Sequence, residues 1–490
     1  MTQNKYNQSQ QEFKQFREKL YQSFDYRRDT VMDLVDAISA NTTARSPVEL
    51  SLSPLFSRGY SALYKGIQAY AQVSQSNSTE KAQKQQKAAI EARLSAIGAM
   101  IETPKQRKFH LFGIDVTPMP RPYAKTLEDK TIIYQPNTIK GNKPINIGHS
   151  YSILTALPPR ESTGHIPWAI PLMVDRVKSD QTGKQVGSRQ LNQIMTQKNL
   201  PWFNNWSVVV VDSDYSAKTF LSQQSQHSNL VVVTRVKSNR VFYQSPEPER
   251  VTSKGHPKWY GAKFALKDET TWHQASEVVE TTFTTKKGRL LKVKIRSWSD
   301  MLMRGSRDCP MHSMPFTLMQ IQVSDREGKK VWKPMWLIMI GQRRHELTAI
   351  EGYQAYRQRY DMEHLLRFGK QRLLLNASGT PSVEHEENWV SLSFIAYVQL
   401  WAARKLASSL PRRWERYLPQ KNEGFLTPSQ IQRDMNRIIT EMGTPANSPK
   451  PRGFSYGRTK GMIQTKRTRH EVIKKGNKSK KLELSTPIAV

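Results

Sequence analysis

Cysteine is nearly absent: Cys309 stands alone in 490 residues. One thiol cannot form an intrachain disulfide, and it excludes a zinc site built from several cysteines. Long apolar runs are missing as well. The longest uncharged, mostly apolar stretch runs from Trp389 to Ala403, and Ser391, Ser393 and Gln399 interrupt it. That is short of the about 20 residues a membrane-spanning helix needs, so it predicts a buried helix. The first residues are polar and Gln-rich, without the apolar centre of a secretory leader. These absences predict a soluble chain suited to a reducing compartment.

Acidic charge is the third shortage. There are 41 Asp and Glu against 75 Lys and Arg, a net charge of +34. Such an excess points to a polyanion, because Lys and Arg neutralise phosphates and release condensed counterions. No strongly amphipathic basic helix at a terminus and no lipidation motif favours an anionic membrane, so nucleic acid is the expected partner. The 11 Trp, 18 Tyr and 16 Phe argue for folded cores rather than wholesale disorder.

The pattern changes several times along the chain, and it predicts a mixed α/β fold. Residues 1–105 read as a helical N-terminal region, with Leu20, Phe24, Val31, Leu34 and Val35 at helical spacing. Ser76 to Thr79 reads as a cap for a helix over Ser78 to Ile101. Within 106–240 three strand-length runs follow: Phe109 to Val116, Thr131 to Tyr134 and His149 to Leu157. A polar helical stretch, Ser188 to Asn199, comes next. Then two valine-rich runs, Trp206 to Asp212 and Asn229 to Thr234, flank a helix-length segment and read as buried parallel strands. Residues 241–345 read as an inserted all-β block with hairpins around Lys286-Lys287-Gly288 and Asp325 to Gly328. Helix returns in 346–380 and again from Glu384 to Leu406. Residues 381–490 form a helical C-terminal region ending in a basic tail, with twelve Lys and Arg against two Glu from Lys450 onward. Its Gly, Ser and Pro predict mobility.

Three places carry candidate chemistry. Asp115 ends an apolar run, where a strand end presents a carboxylate at the rim of a sheet, although an Asp opening a turn before Thr117-Pro118 is the plainer reading. Asp212 directly follows four valines, the position of a ligand-binding crevice in a doubly wound sheet or of a plain helix cap. The third is a helix beginning near Tyr353. At about 100° per residue, Tyr356, Arg359, Glu363 and Lys370 fall within an arc of about 60°. Taken alone, that face could equally be a solvated salt-bridged surface, since Arg359 and Glu363 are i,i+4 partners.

The spacing Tyr356-x2-Arg359-x3-Glu363-x6-Lys370 resembles, at each position, the Tyr-Arg-Glu-Lys signature of a group of bacterial insertion-sequence DDE transposases. Phe112-Gly113-Ile114-Asp115 looks like that group's first-Asp strand, and Val210 to Tyr215 like its second-Asp segment. The resemblance covers about 108 to 376 and implies an RNase H-like catalytic core interrupted by an all-β insertion. It implies a metal-binding catalytic triad of Asp115, Asp212 and Glu363, with Asp214 standing as an alternative to Asp212 and Asp129 as an alternative to Asp115. Three carboxylates suit two Mg²⁺ or Mn²⁺ ions, which can clamp an in-line displacement at phosphorus. Tyr356, Arg359 and Lys370 are then expected to contact DNA. Arg235 and Arg240 are expected in a loop that contacts the DNA backbone. Trp259, Trp272 and Trp298 are candidates for holding a flipped base. The expected activity is DNA cleavage and strand transfer at the terminal inverted repeats of an insertion sequence. A homodimer in the synaptic complex, a target DNA and a cytoplasmic bacterial setting go with it. Two rivals stay open: a catalytically inactive, transposase-derived DNA-binding protein, and an RNase H-like nuclease without joining activity.

Overall fold

The structure, a computed structural model, describes residues 3–72, 79–105, 107–135, 144–160, 167–246, 259–285, 288–408, 426–451, 457, 459–463 and 465–475. Its centre is a 10-stranded mixed sheet. The long strand β1 (His110–Pro120) pairs antiparallel with β3 (Ile145–Ala156). The far edge of β3 carries β2 (Thr131–Tyr134) and β4 (Ile170–Val177). On its other side β1 runs parallel to β5 (Ser207–Val211), and β5 runs parallel to β6 (Leu230–Val236). Both valine strands are buried along nearly their whole length, as parallel strands covered on two faces must be.

Helices cover both faces. α5 (Gly183–Thr196) starts with a capping box between Thr182 and Gln185. A short helix, α6 (Lys218–Gln224), joins β5 to β6, as parallel neighbours need a crossover connection. On the sheet, a Cβ at Gly113 would lie 2.5 Å from Met362 Sδ, and one at Gly187 of α5 would lie 3.0 Å from Ile114 Cγ2. Successive strand residues point to opposite faces. Gly113 therefore lies under the Met362 helix, Ile114 faces α5, and Asp115 returns to the Met362 side.

The 241–345 stretch is β-rich, but its main strands continue the same sheet. A two-stranded piece, β7 (Val241–Tyr243) with β8 (Lys263–Ala265), comes first. Next are the hairpins β9 (Glu277–Thr284) with β10 (Leu290–Met301) and β11 (Phe316–Ser324) with β12 (Met335–Ile340). β12 pairs antiparallel with β6, so the sheet runs on as β6-β12-β11-β10-β9. The β-rich stretch thus extends the main sheet, because β6 offers an open edge that apolar β12 can pair and bury. Of the first turn, Lys286 and Lys287 lie outside the described residues.

The two ends of the chain meet. α1 (Gln3–Gln22), α2 (Arg28–Ser39), α3 (Tyr60–Ala69) and α4 (Thr79–Gly98) pack with α9 (Val383–Ala403) and α10 (Pro428–Met442). Arg17 Nη2 bonds Asp36 at 2.5 Å, and Gln399 of α9 donates to Asp36 and Ser39 at 2.8 and 2.9 Å. Asn388 reaches Gln68 O at 3.2 Å, which ties α9 to α3. The stretch from Trp389 to Ala403 is the buried heart of this layer, as its composition predicts. Among the described residues no helix is long and apolar enough to cross a membrane. Of the proposed cap region Ser76 to Thr79, the first three residues lie outside the described residues.

Part of the basic tail is docked rather than mobile. Ile473 N donates to Lys130 O at 2.9 Å, and Ile473 bridges Thr131 in parallel, so the tail lies along the edge of β2. Lys475 Nζ caps Lys178 O and Gln181 O at 3.2 and 3.0 Å. An edge strand offers unpaired backbone groups, and this segment satisfies some of them.

Candidate active site

Asp115 does not end its strand, as the apolar run suggests; β1 continues five residues to Pro120. What ends there is the neighbour. The parallel register of β1 on β5 stops at Ile114 opposite Val211. The next residues on the two strands are Asp115 and Asp212, so the carboxylates stand side by side where β5 stops. Asp212 caps the turn that follows: its Oδ1 accepts from Asp214 N at 3.0 Å, and Thr234 Oγ1 donates to its carbonyl at 2.6 Å. Asp214 itself is exposed.

Glu363 arrives from the other end of the sequence. Residues 349–372 do not form the single helix that the about 60° arc assumes. α7 (Ala349–Gln358) ends at Arg359, and α8 (Asp361–Arg372) starts after Tyr360. Across the junction the backbone bonds tighten: Arg359 N, Tyr360 N, Met362 N and Glu363 N each reach the carbonyl three residues back. Such a 3₁₀ turn breaks the helical wheel. The four side chains nonetheless collect at one place, because α8 is seated on β1 through Met362 over Gly113. Glu363 lies in the first turn of α8, and its charge is felt at Asp115 and at Arg359.

The electrostatics mark a strained carboxylate cluster. Burial pushes the Asp115 carboxyl up to about 6, and the charges of Asp212 and Glu363 add to this while Arg359 opposes it. Burial also raises Asp212, and the Asp214 charge adds. Arg359 Nη1 meets Asp115 Oδ2 at 3.3 Å. Burial works against the Arg359 charge, but Asp115, with Asp212 and Glu363, outweighs it. Its guanidinium lies 5.9 Å from the Tyr356 ring, and its Nε is buried without a partner. Lys370 Nζ donates to Pro118 O at 3.3 Å, and burial lowers its pKa against the pull of Asp115. Burial raises the Tyr356 hydroxyl, opposed by the charges of Arg359 and Arg235.

Other predicted residues fall differently. Arg235 sits within β6 rather than in a loop after it. Arg240 Nη2 donates to Ser216 O at 2.9 Å, so it braces the turn that Asp212 caps. Asp129 is engaged elsewhere: Arg176 and Ser179 N hold its carboxylate, and these bonds bring its pKa down against the effect of burial. Trp298 lies in β10 and Trp272 packs beside it, both against Phe264 and Trp336, donating to His273 O and Ala265 O at 3.0 and 2.8 Å. Trp259 differs, being 46% exposed and stacked on His312 with centroids 4.3 Å apart.

Two nearby residues escape sequence reasoning. Tyr215 is buried beside the pair; burial raises its hydroxyl, and the charges of Asp115 and Asp212 add. Asp361, buried at the start of α8, pairs with Arg160 and anchors the helix that carries Glu363. The available signal was its place two residues before Glu363.

Whether these residues suit a metal turns on their chemistry. Among the described residues no three His, Cys, Asp or Glu side chains are drawn tightly enough to cage one ion. Mg²⁺ needs no such cage, since it commonly binds through one or two carboxylates and completes its shell with water and phosphate oxygens. A carboxylate raised by burial, with two further carboxylate charges adding to it, is a donor set that a hard divalent cation relieves. The residues fit such an ion.

No curated protein matches this chain at a significant level. A sequence profile described as DDE superfamily endonuclease matches residues 19–305, more than half of the chain. That stretch holds Asp115 and Asp212 and ends before the Glu363 helix. Members generally use divalent metal ions and act on DNA, which agrees with the +34 charge and the paired carboxylates. The chain therefore belongs to the DDE superfamily endonucleases.

Proposed function

We propose that this protein is a DNA transposase that cuts the ends of an insertion sequence and joins them to target DNA. The observation that carries the reading is the meeting of Asp115 and Asp212 at the end of the β1–β5 register, with Glu363 brought over them by α8. Asp115, Asp212 and Glu363 would hold two Mg²⁺ or Mn²⁺ ions, which when bound activate the attacking oxygen and stabilise the leaving 3′ oxygen. The chain's own part is to place charge. Arg359 and Lys370 bring positive charge beside the carboxylates, a fork and a point charge suited to phosphate oxygens. Tyr356 and Arg235 extend that surface across α7 and β6. Asp212 serves rather than Asp214, since it shares the rim with Asp115. The β-rich 241–345 stretch corresponds to the insertion of the Tyr-Arg-Glu-Lys group, within an RNase H-like core, and the helical N-terminal region takes part in binding DNA ends. Paired ends call for two copies of the chain.

The test is cleavage and strand transfer on DNA carrying the element's terminal repeats, with Mg²⁺ or Mn²⁺. Cleavage and joining that vanish in Asp115→Asn, Asp212→Asn and Glu363→Gln, with DNA binding kept, support the reading. Cutting without joining would leave a nuclease; binding without cutting would leave a non-catalytic descendant. Thermal stability gives a second readout. Divalent metal is expected to raise the melting temperature of the wild type by mass action and to lose that effect in EDTA or in Glu363→Gln.

A further inference from the structure

A cavity of about 800 Å³ lies at the start of β1, lined by His110, Leu111 and Phe112, before the strand reaches Asp115. It opens between α1, the start of β1, the approach to β4 and the end of α9. Its volume is in the range of small-ligand sites, about 300–1,000 Å³. Leu111, Phe112, Trp168 and Ile170 give it an apolar floor. Lys5, Arg160, Arg404 and Lys405 also line it. Acidic groups are present too, but they are paired: Lys405 reaches Glu12 and Glu102 at 3.5 Å each, Arg404 approaches Glu102 at 4.0 Å, and Arg160 holds Asp361.

Two buried polar atoms in the lining have no hydrogen-bond partner. The His110 side chain is 3% exposed, and its Nε2 is unsatisfied. Trp401 Nε1 is unsatisfied as well. A buried polar group left unpaired keeps its desolvation penalty, so a ligand with a polar edge gains by reaching these two. The Arg404 guanidinium lies 3.5 Å from the centre of the Trp401 ring, and Trp168 packs against Trp401 at 5.2 Å. The cavity thus offers aromatic faces, a hydrogen-bonding nitrogen and a basic mouth. A nucleotide has the complementary parts: a planar apolar base, a polar base edge and a phosphate.

We propose that this cavity is a second nucleotide site, separate from the carboxylate cluster, in which a base packs against Trp168 and Trp401 while its phosphate lies at Lys5 and Arg404. The inference rests on the reading that the chain handles DNA. An unstacked nucleotide of a bound strand and a free nucleoside monophosphate share this chemistry.

The experiment uses the full chain in EDTA, where cleavage is silent. The probes are 2-aminopurine riboside monophosphate and a single-stranded DNA carrying one 2-aminopurine, whose fluorescence is quenched on stacking. Saturable quenching of both probes supports a site open to either source. Quenching of the strand alone assigns it to DNA. Trp401→Ala is expected to weaken the quenched complex about tenfold, the loss of one base–aromatic stack. Lys5→Glu, an exposed change on α1, is expected to weaken it without altering the melting temperature, which covers a Trp401 variant that fails to fold. Glu363→Gln should leave the quenching intact. Absence of saturable quenching, or quenching indifferent to both Trp401→Ala and Lys5→Glu, overturns the proposal. Cleavage by the wild type together with absent quenching would retain the transposase reading and discard only the cavity.

Discussion

In the proposed function Asp115 is the side chain on which the chemistry turns, and its surroundings suit that role. It is crowded by two carboxylates and partly neutralised by one guanidinium. Even outer partners of metal ligands contribute about 10–100-fold to activity. Asp115→Asn, Asp212→Asn and Glu363→Gln should therefore lower metal-dependent cleavage by more than about a hundredfold, while Asp214→Asn keeps most of it; steady-state cleavage rates decide, and a dead Asp214 variant beside an active Asp212 variant would move the second ligand. His110 gives a prediction of another kind. Burial, with the Arg107 charge adding, holds it down to about 4 in the fold. An unfolded imidazole titrates near about 6.5. Between those values the unfolded chain binds the extra proton, so the stability from neutral His110 is complete above about 6.5 and is lost as pH falls toward about 4. Melting temperature against pH should flatten over that window in His110→Gln; an unchanged slope would put the acid sensitivity in other groups.

Among the elements, the decisive contact is α8 on β1. A side chain at Gly113 would strike Met362, and overpacking of this kind costs about 1–3 kcal/mol. Gly113→Val should lower thermal stability by that amount and reduce cleavage, because Glu363 rides on the displaced helix. Adding Met362→Ala to Gly113→Val should recover part of both losses; no recovery in the pair would show that the contact does not position Glu363. The broken helix teaches a related lesson. The Tyr-Arg-Glu-Lys spacing is visible in the chain, but the tightened turn between α7 and α8 is not, since an αR backbone at Arg359 and Tyr360 suits both a continuous helix and a 3₁₀ junction. The four residues meet because tertiary packing seats α8, not because they share one wheel. Likewise β4 is not legible in the sequence: its Pro171, Asp175 and Arg176 blur the period-two signal of a strand that packs beneath α9.

For the whole molecule, charge and architecture act together. The described part of the tail carries Lys466, Arg467 and Arg469 just before His470, whose N donates to Lys125 O at 3.0 Å. Replacing these three with Gln should lower the slope of log affinity against log salt for nonspecific DNA by up to about 3, near 0.9 for each phosphate that is no longer neutralised. An unchanged slope would place the phosphate-binding charge elsewhere. The sequence by itself determined the polyanion preference, the order of helical and strand-rich stretches, the two buried parallel valine strands and the candidate acidic residues. Those properties are local: composition, hydrophobic period and spacing along one segment express them. Only the tertiary structure decided that Asp115 and Asp212 are lateral neighbours, that Asp129 is spent on Arg176, that the β-rich stretch prolongs the main sheet and that both chain ends build one helical layer. Each of these depends on the register and packing of segments far apart in sequence. That register is set by hydrogen-bonded edges and buried contacts that no single segment contains.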